Sequence, residues 1–565
     1  MFFKQEIAKA IAACAPAEYA DVLDWIEIPP QSDMGDYALP CFKLSKTMRK
    51  PPNAIAAQLQ SAFVLPNCIE RVEAAGGYLN FFVEKQVLAQ MALSAVLQQG
   101  ELYGADTIGN GKNICIDYSS INIAKRFHIG HLSTTMLGNA LTRMYRFLGY
   151  TVIGINHLGD WGTQFGNMIV ALKLWGNREM IESGGIDALT QLYVRFHQEE
   201  EHNPELAAQG RAWFKKIEDG DPEAMELFDY FKQITLKETQ RIYDLLGVTF
   251  DSYAGESFYN DKMDRVIDEL RAKDLLKLSD GAYVVDLETY GMPPCIILKS
   301  DGATLYATRD IAAALYRHDT YNFDKCLYVV AYQQNLHFQQ FFKTLELMGY
   351  DWAKRLEHVS YGMVSYEGES LSTRTGHTVY LDDLMEQAIQ KALDIINEKN
   401  PLLEGKEEIA QKIGIGAAIF FDLSASRIKD IDFRWERALN FDGETGPYLQ
   451  YTYARCHSVL AKADTTQYGT AFDTAALCDA DAQNVLKLLL QFPALIKAAV
   501  DKSEPSLIAR YLIDLAQGYN KFYYENRILE ADATIQQARL QLTKAVQTVL
   551  KLGLYLLGIE VLEKM

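Results

Sequence analysis

The chain has 565 residues, of which 49% are hydrophobic and 23% are charged, and its formal net charge is −19. This length allows three or four domains with ample cores. The acidic balance argues against a protein that binds nucleic acid through charge alone. No apolar run approaches the roughly 20 residues of a membrane span, and the nearest, residues 413–421, is far too short.

The eight cysteines are scattered, with no Cys-x-x-Cys pair and no close Cys/His cluster. We therefore expect reduced thiols and no structural zinc. Residues 1–7 mix charges into a helical pattern and lack the apolar block of a signal peptide, which favours a cytoplasmic location.

Residues 1–107 are expected to form a small α+β domain. A helix opens it, Gly35-Asp36-Tyr37 turns the chain, and residues 74–82 indicate a turn into a strand. Residues 104–112, with three glycines, form the expected linker.

A strand, a loop, a helix and a second strand follow. Apolar and other residues alternate over 113–118, as in a strand. Apolar residues recur at helical spacing from Leu132 to Leu148, and Gly149 is expected to end that helix. Residues 151–156 form the next expected strand. This order predicts a parallel, Rossmann-like βαβ unit, which binds ligands where the first loop meets the helix.

That loop places His128 and His131 on one face at the start of the helix, with Gly130 between them and Lys125 nearby. Two imidazole donors, a helix N-terminus and a lysine suit phosphate oxygens. A metal pair, or two histidines that only satisfy the helix end, are the alternatives that the residues alone leave open.

The α/β domain is expected to span residues 108–382, with a helical and charged insertion at residues 173–279. Its sheet is expected to resume at residues 283–286 and to continue through residues 295–298 and 326–330. Gln334 and His337 would follow the last strand at the ligand edge of the sheet.

The remainder of the chain is expected to be helical, with a connecting region at residues 383–440 and an all-α domain at residues 441–565. This last part carries twelve Lys and Arg against fourteen Asp and Glu, so it is nearly neutral, and it is rich in tyrosine. Exposed aromatic side chains can read single-stranded RNA by stacking, whereas buried tyrosines would only fill the core.

The whole stretch from Asp117 to His131 resembles the signature of class I aminoacyl-tRNA synthetases, and its Ser-Ser-x-Asn-Ile-Ala-Lys start is similar to arginyl-tRNA synthetases. Further matches to that family follow in order along the chain, at residues 156–166, 250–257, 306–310, 333–337, 446–451 and 553–560. One departure is Ile121, where the family often has proline.

The resemblance implies that the protein joins L-arginine to tRNA(Arg) through an arginyl-adenylate, with ATP and Mg²⁺ as the substrate complex and no organic cofactor. The partners would be arginine, ATP and tRNA(Arg), and the protein would be a monomer. The N-terminal domain would touch the corner of the tRNA, and the C-terminal helices would bind the anticodon.

The resemblance also implies roles for particular residues. The expected arginine contacts are Asp117, Ser119, Asn122, His128, Tyr306, Asp310 and Gln334. The expected ATP contacts are His128, Gly130, His131, His337 and Met363. The expected tRNA contacts are Tyr448, Tyr451, Arg455, Tyr519 and Met565.

Class I synthetases usually carry two lysines in a mobile loop that neutralises pyrophosphate, but Ser370 and Thr373 occupy both positions here. Lys125 and Arg374 are the cations expected to replace them, with Lys125 favoured because a preorganised charge stabilises a transition state better.

Two other functions fit part of the pattern. A small-molecule adenylyltransferase would lack the long helical tail, and a non-enzymatic RNA-binding relative would explain the altered loop. The intact His128, His131, Lys125, Asp310 and Gln334 argue against the second.

Overall fold

A computed structural model of the chain describes residues 2–299, 304, 306–370, 379–463 and 472–565. The N-terminal part combines helices with a three-stranded antiparallel sheet of order β1-β3-β2. Gly76 and Gly77 both have positive φ, which suits the two-residue turn that joins β2 to β3. The elements are α1 Phe2–Cys14, α2 Tyr19–Trp25, β1 Tyr37–Pro40, α3 Ser45–Met48, α4 Pro52–Ala62, β2 Ile69–Ala75, β3 Tyr78–Val83 and α5 Lys85–Gln99.

The central sheet has four parallel strands in the order β10-β9-β4-β5. The predicted βαβ unit is confirmed, because β4, α6 and β5 follow each other and β4 pairs with β5. Its strands and covering helices are β4 Asn113–Asp117, α6 Gly130–Phe147, β5 Thr151–Ile155, α12 Tyr306–Tyr321, β9 Lys325–Ala331, α13 Asn335–Leu347 and β10 Leu356–Tyr361.

The insertion between β5 and β9 begins with helices, as predicted. They are α7 Thr163–Trp175, α8 Arg178–Glu200, α9 Glu205–Glu218, α10 Pro222–Leu246 and α11 Met263–Ala272. The prediction for residues 283–298 is wrong, because β6 Leu276–Ser279, β7 Ala282–Val285 and β8 Cys295–Leu298 form a separate antiparallel sheet. One face of it is open, with Tyr283 and Ile296 exposed. Short apolar runs alone do not distinguish this arrangement from strands buried on both faces.

The rest of the described chain is mainly helical, again as predicted, apart from a small sheet of order β12-β11-β13. The strand β13 was not predicted: its three residues pair in parallel with β11, a contact too short to leave a periodic pattern. The elements are β11 Val364–Tyr366, β12 Glu369–Ser370, α14 Leu381–Lys399, α15 Lys406–Ser424, β13 Ile431–Phe433, α16 Trp435–Ala438, α17 Gly446–Lys462, α18 Ala480–Asp501, α19 Ser506–Glu525 and α20 Ala533–Leu557.

The N-terminal part docks on the C-terminal helices, since α5 packs against α18 and α20. Tyr103 Oη donates to the carbonyl of Leu489 at 2.8 Å, and Gln483 Nε2 donates to that of Lys85 at 3.1 Å. Three ion pairs cross the same contact, namely Lys487–Asp36, Lys497–Asp106 and Lys551–Glu101. No helix in the described part of the chain has both the length and the apolar character needed to cross a bilayer.

Candidate active site

The loop between β4 and α6 folds back tightly on itself. Ser119, Ser120 and Ala124 have φ of 70°, 47° and 63°, a region that costs energy for residues other than glycine. Gly159 pairs with this loop on both sides: its N–H donates to the carbonyl of Ile121 at 2.8 Å, and its carbonyl accepts from Ile123 N–H at 3.1 Å. A Cβ at Gly159 would lie 2.3 Å from Asn122 Oδ1, so the exposed amide of Asn122 depends on a glycine there.

The insertion helix α10 also holds this loop. Tyr243 Oη lies 2.7 Å from Ser119 Oγ and accepts from Asn156 Nδ2 at 2.8 Å. Thr235 Oγ1 accepts from Ala124 N–H at 3.0 Å. The hydroxyl of Ser119 is therefore engaged within the fold, and the insertion supports the loop as well as extending the domain.

The rings of the two histidines lie against each other at the start of α6, tilted by 36°. Their ring centroids are 3.8 Å apart, and His128 N–H donates to His131 Nδ1 at 3.2 Å. Burial, followed by the charge of Lys125, lowers the pKa of His128 to about 4. Burial, followed by His128, lowers the pKa of His131 well below its ordinary value. Both rings are neutral at pH 7, so they can donate hydrogen bonds to phosphate but supply no positive charge.

Gly130 keeps the two rings together. A Cβ at this position would lie 3.0 Å from His128 Cε1 and 3.1 Å from its Nδ1. Lys125 is exposed, with its ammonium 5.5 Å from the centre of the Tyr193 ring. Among the three side chains predicted to bind phosphate, Lys125 is the one that carries a positive charge.

The segment after residue 378 is bound to the histidine loop. Ile129 N–H donates to the carbonyl of Val379 at 3.0 Å, and Leu381 N–H donates to that of Phe127 at 2.8 Å. Arg126 pairs with Asp382 at 2.6 Å and lies 3.9 Å from the centre of the Tyr380 ring. Arg374 lies outside the described residues, as does Thr373.

Asp310 and His337 form a close pair at the edge of the sheet, with His337 Nε2 2.6 Å from Asp310 Oδ2. Burial raises the pKa of Asp310, but the hydrogen bond and charge of His337 outweigh it, and the pKa lies below its ordinary value. Burial lowers the pKa of His337, but Asp310 outweighs it, and that pKa lies above its ordinary value. Tyr306, one helical turn before Asp310, is exposed, and so is Gln334, three residues after the end of β9.

Asp117 is paired within the protein, which the sequence did not indicate. Arg317 Nη2 lies 2.7 Å from Asp117 Oδ2, and Ser120 Oγ donates to Asp117 Oδ1 at 2.8 Å. Arg317 Nη2 also lies 3.4 Å from His157 Nδ1. Partial burial lowers the pKa of His157, whereas the negative charges of Asp117 and Asp310 raise it. The two predicted carboxylates thus belong to one cluster.

Glu256, in a motif expected to be structural, adjoins this cluster. Burial raises the pKa of its carboxyl to about 7; Arg309 opposes the rise, and Asp310 adds to it. Arg309 Nη1 lies 3.7 Å from Glu256 Oε2. Asp310 therefore has a second carboxyl group near it, and the position of Glu256 close after α10 gave no periodic signal of that.

The remaining predicted residues make contacts with other parts of the protein. Met363 is exposed, with its N–H bonded to Asp430 at 2.7 Å. The Arg455 guanidinium lies 4.9 Å from the centre of the Tyr451 ring, and Tyr448 Oη accepts from Asn520 at 2.9 Å. Met565 packs partly buried against the core. The predicted RNA contact at Tyr519 is wrong, because its side chain is wholly buried and therefore cannot stack on a base.

Three family models match the chain. Residues 92–435 match the model described as tRNA synthetases class I (R), catalytic domain. Residues 449–565 match the DALR anticodon binding domain, and residues 1–83 match the arginyl tRNA synthetase N terminal domain. The first match covers more than half of the chain and includes the parallel sheet and the histidine loop, which makes the protein a class I aminoacyl-tRNA synthetase.

Full-length relatives narrow the class. The arginine–tRNA ligases of Alkaliphilus metalliredigens and Clostridium perfringens are each 52% identical to the chain, over 564 and 566 residues, and cover 100% of it. The alignments also cover 100% of each relative. The Thermus thermophilus arginyl-tRNA synthetase structure superposes with a TM-score of 0.82 at 27% identity, covering 100% of this chain and 99% of that one. The chain belongs to the arginyl-tRNA synthetase family.

Proposed function

We propose that the protein charges tRNA(Arg) with L-arginine. Arginine attacks the α-phosphate of ATP, forming arginyl-adenylate and releasing pyrophosphate. A terminal ribose hydroxyl of the tRNA then attacks the arginyl carbonyl, and AMP leaves. The observation that carries this proposal is the cluster of buried Asp117 and partly buried Asp310 at the ligand edge of a parallel sheet whose first helix begins with a neutral histidine pair.

The carboxylates suit the guanidinium of arginine. A guanidinium presents planar donors that a carboxylate accepts two at a time. In our proposal Asp310 accepts hydrogen bonds from the guanidinium of arginine. Its present bond to His337 is broken when the substrate binds. Tyr306 and Gln334 border the pocket, and Asn122 holds the main-chain end of the amino acid. An analogue without a guanidinium would leave buried acceptors unpaired, which gives strong discrimination without editing.

The histidine loop suits ATP. Attack at phosphorus needs positioning and charge neutralisation more than covalent help. His128 and His131 donate to phosphate oxygens, Gly130 allows close approach, and Lys125 supplies the charge that the neutral histidines lack. Mg²⁺ enters with ATP as part of the substrate complex. His337 and Met363 remain proposed nucleotide contacts.

The C-terminal helices are the proposed tRNA surface, with Tyr448, Tyr451, Arg455 and Met565 as candidate contacts. Tyr451 is 42% exposed beside the Arg455 guanidinium, so this pair offers a ring and a charge to an RNA loop. We further propose a monomer that works in the cytoplasm, for which the eight free cysteines suit a reducing compartment.

Exchange of label between pyrophosphate and ATP tests this function. We expect exchange with arginine, none with lysine or ornithine, and a requirement for cognate tRNA. Exchange that needed no amino acid would point to a different adenylyltransferase, and its absence with arginine and tRNA together would remove the proposal. Full exchange without RNA would remove only the tRNA requirement.

A further inference from the structure

Two helices from different parts of the chain end against the middle of α6. The insertion helix α10 ends at Gly247, and the last helix α20 ends at Gly558. Both glycines have positive φ, 63° and 82°, and so terminate their helices in the left-handed conformation. A Cβ at Gly558 would lie 2.9 Å from Asn139 Nδ2 on α6, so a side chain at this position would have to displace that amide.

One guanidinium binds both helix ends. Arg143 Nη1 donates to the carbonyl of Tyr555 at 3.1 Å, and Arg143 Nη2 donates to the carbonyl of Gly247 at 3.0 Å. Its guanidinium also lies 4.9 Å from the centre of the Tyr555 ring. Helix C-termini carry partial negative charge, and the planar fork of arginine can reach two carbonyls at once. A cleft of about 340 Å³ lies beside Arg143 and is lined in part by the ends of α10 and α20.

The helix that carries Arg143 and one of the two helices that it binds lead to the active-site loop. The helix α6 begins at Gly130 and His131. The helix α10 holds the same loop through Tyr243, which bonds Ser119 and Asn156, and through Thr235, which accepts from Ala124 N–H. Tyr243 lies one turn before Gly247, so a shift at the end of α10 acts directly on Ser119.

We propose that Arg143 is a positioning residue that couples the last helix, α20, to the active-site loop through α10 and α6. The inference rests on the proposed function, since α20 belongs to the proposed tRNA-binding part. When Arg143 holds both helix ends, residues 117–131 keep the arrangement that the reaction needs. When the contact is lost, the loop loosens although no residue that touches substrate has changed.

The test compares Arg143→Gln and Arg143→Lys with Arg146→Gln. Arg146 lies on the same helix, and its exposed side chain pairs with Asp251 at 3.2 Å. Hydrogen–deuterium exchange of residues 117–131 and arginylation kinetics are measured on all variants at matched folded fraction. We expect faster exchange in this loop and a kcat about 2- to 30-fold lower for Arg143→Gln, the range for residues that couple sites without touching ligand. The KM for arginine and for ATP should stay within about twofold, a narrow effect relative to losing a ligand contact.

Lysine should give an intermediate result, because its ammonium cannot span both carbonyls as the fork does. Arg146→Gln should change neither readout. Gly558→Ala pushes α20 away from α6 by another route, so its effect on kcat should not add to that of Arg143→Gln. Two results would overturn the coupling. One is a change in hydrogen–deuterium exchange confined to residues 244–248 and 555–560, and the other is a double variant in which the two losses of kcat add.

The two proposals fail in different ways. If the wild-type protein does not charge tRNA with arginine, the proposed function fails, and loop exchange still decides the coupling. If the wild type charges tRNA and Arg143→Gln charges it with an unchanged kcat, only the coupling fails.

Discussion

Arg317 Nη2 lies 2.7 Å from Asp117 Oδ2, and less than a tenth of either side chain is exposed. A carboxylate expected to meet the guanidinium of the substrate is already bound to a guanidinium of the protein. Its charge is therefore largely compensated before arginine arrives. In the proposed function, recognition of the substrate side chain would then fall mainly to Asp310, and Asp117 would contribute through its remaining acceptor positions.

We predict that Arg317→Gln destabilises the protein strongly, by about 3–5 kcal/mol, because it leaves a buried carboxylate without its partner. Asp117→Asn removes that charge, so the double variant should lose clearly less than the sum of the two single losses. Urea unfolding of the three variants and the wild type measures this coupling. Losses that simply add would show that the two side chains do not depend on each other.

Asp310→Asn should weaken arginine binding by about 2–5 kcal/mol, the usual loss when one partner of a buried charged pair is truncated. The affinity for ATP should change little, because the nucleotide is proposed to lie on the histidine loop. Calorimetric titration with each substrate tests the difference. Equal losses for arginine and ATP would remove Asp310 from the amino-acid pocket.

Arginine affinity should rise with pH, because the guanidinium competes with protonated His337 for Asp310. The pKa of His337 is raised, so the stabilising pair is fully present below about 6.5, the ordinary histidine value, and is lost as the pH rises through the raised pKa. The pKa of Asp310 is lowered, so its carboxylate stays charged down to about 3.9, the ordinary value of that carboxyl. The ion pair with His337 is lost by protonation of Asp310 only below that pH. His337→Gln should abolish the pH dependence of the arginine Kd, and an unchanged dependence in that variant would contradict this assignment.

Lys125→Ala should slow formation of arginyl-adenylate by about 10²-fold or more, the scale of losing one preorganised donor. The neutral histidines cannot take over, because protonating them at pH 7 is unfavourable. Quench-flow measurements with tRNA present give the rate, and Lys215→Ala, an exposed lysine of α9, is the matched control. Arg374→Ala should slow adenylate formation less than Lys125→Ala does. The opposite order would assign the neutralisation of the phosphate charge to Arg374.

The sequence predicted the elements that have a strong period or motif and missed relationships between distant residues. The β4–α6–β5 unit followed from alternation, helical spacing and Gly149, and the helical insertion followed from its charged periodic pattern. The strands at residues 282–298 were assigned to the wrong sheet, because a short apolar run does not reveal its neighbours. The pairing of Asp117 with Arg317 joins residues 200 positions apart and left no local signal. Tyr519 was an expected tRNA contact with burial in the core as the open alternative, because a tyrosine in an amphipathic helix can face either way.

The docking of α5 on α18 and α20 sets the order in which the protein can be completed during synthesis. Gln483 donates to the carbonyl of Lys85, a residue made 398 positions earlier. At the usual rate of translation, this separation amounts to a delay on the order of 20 to 80 s. Leu88, Leu93 and Val96 of α5 are buried in the folded protein, and the helices α18 and α20 that pack on α5 are made only after that interval. The helix α5 therefore reaches its final packing only when the C-terminal helices have been made, although α1 and α4 can pack within the N-terminal part before then.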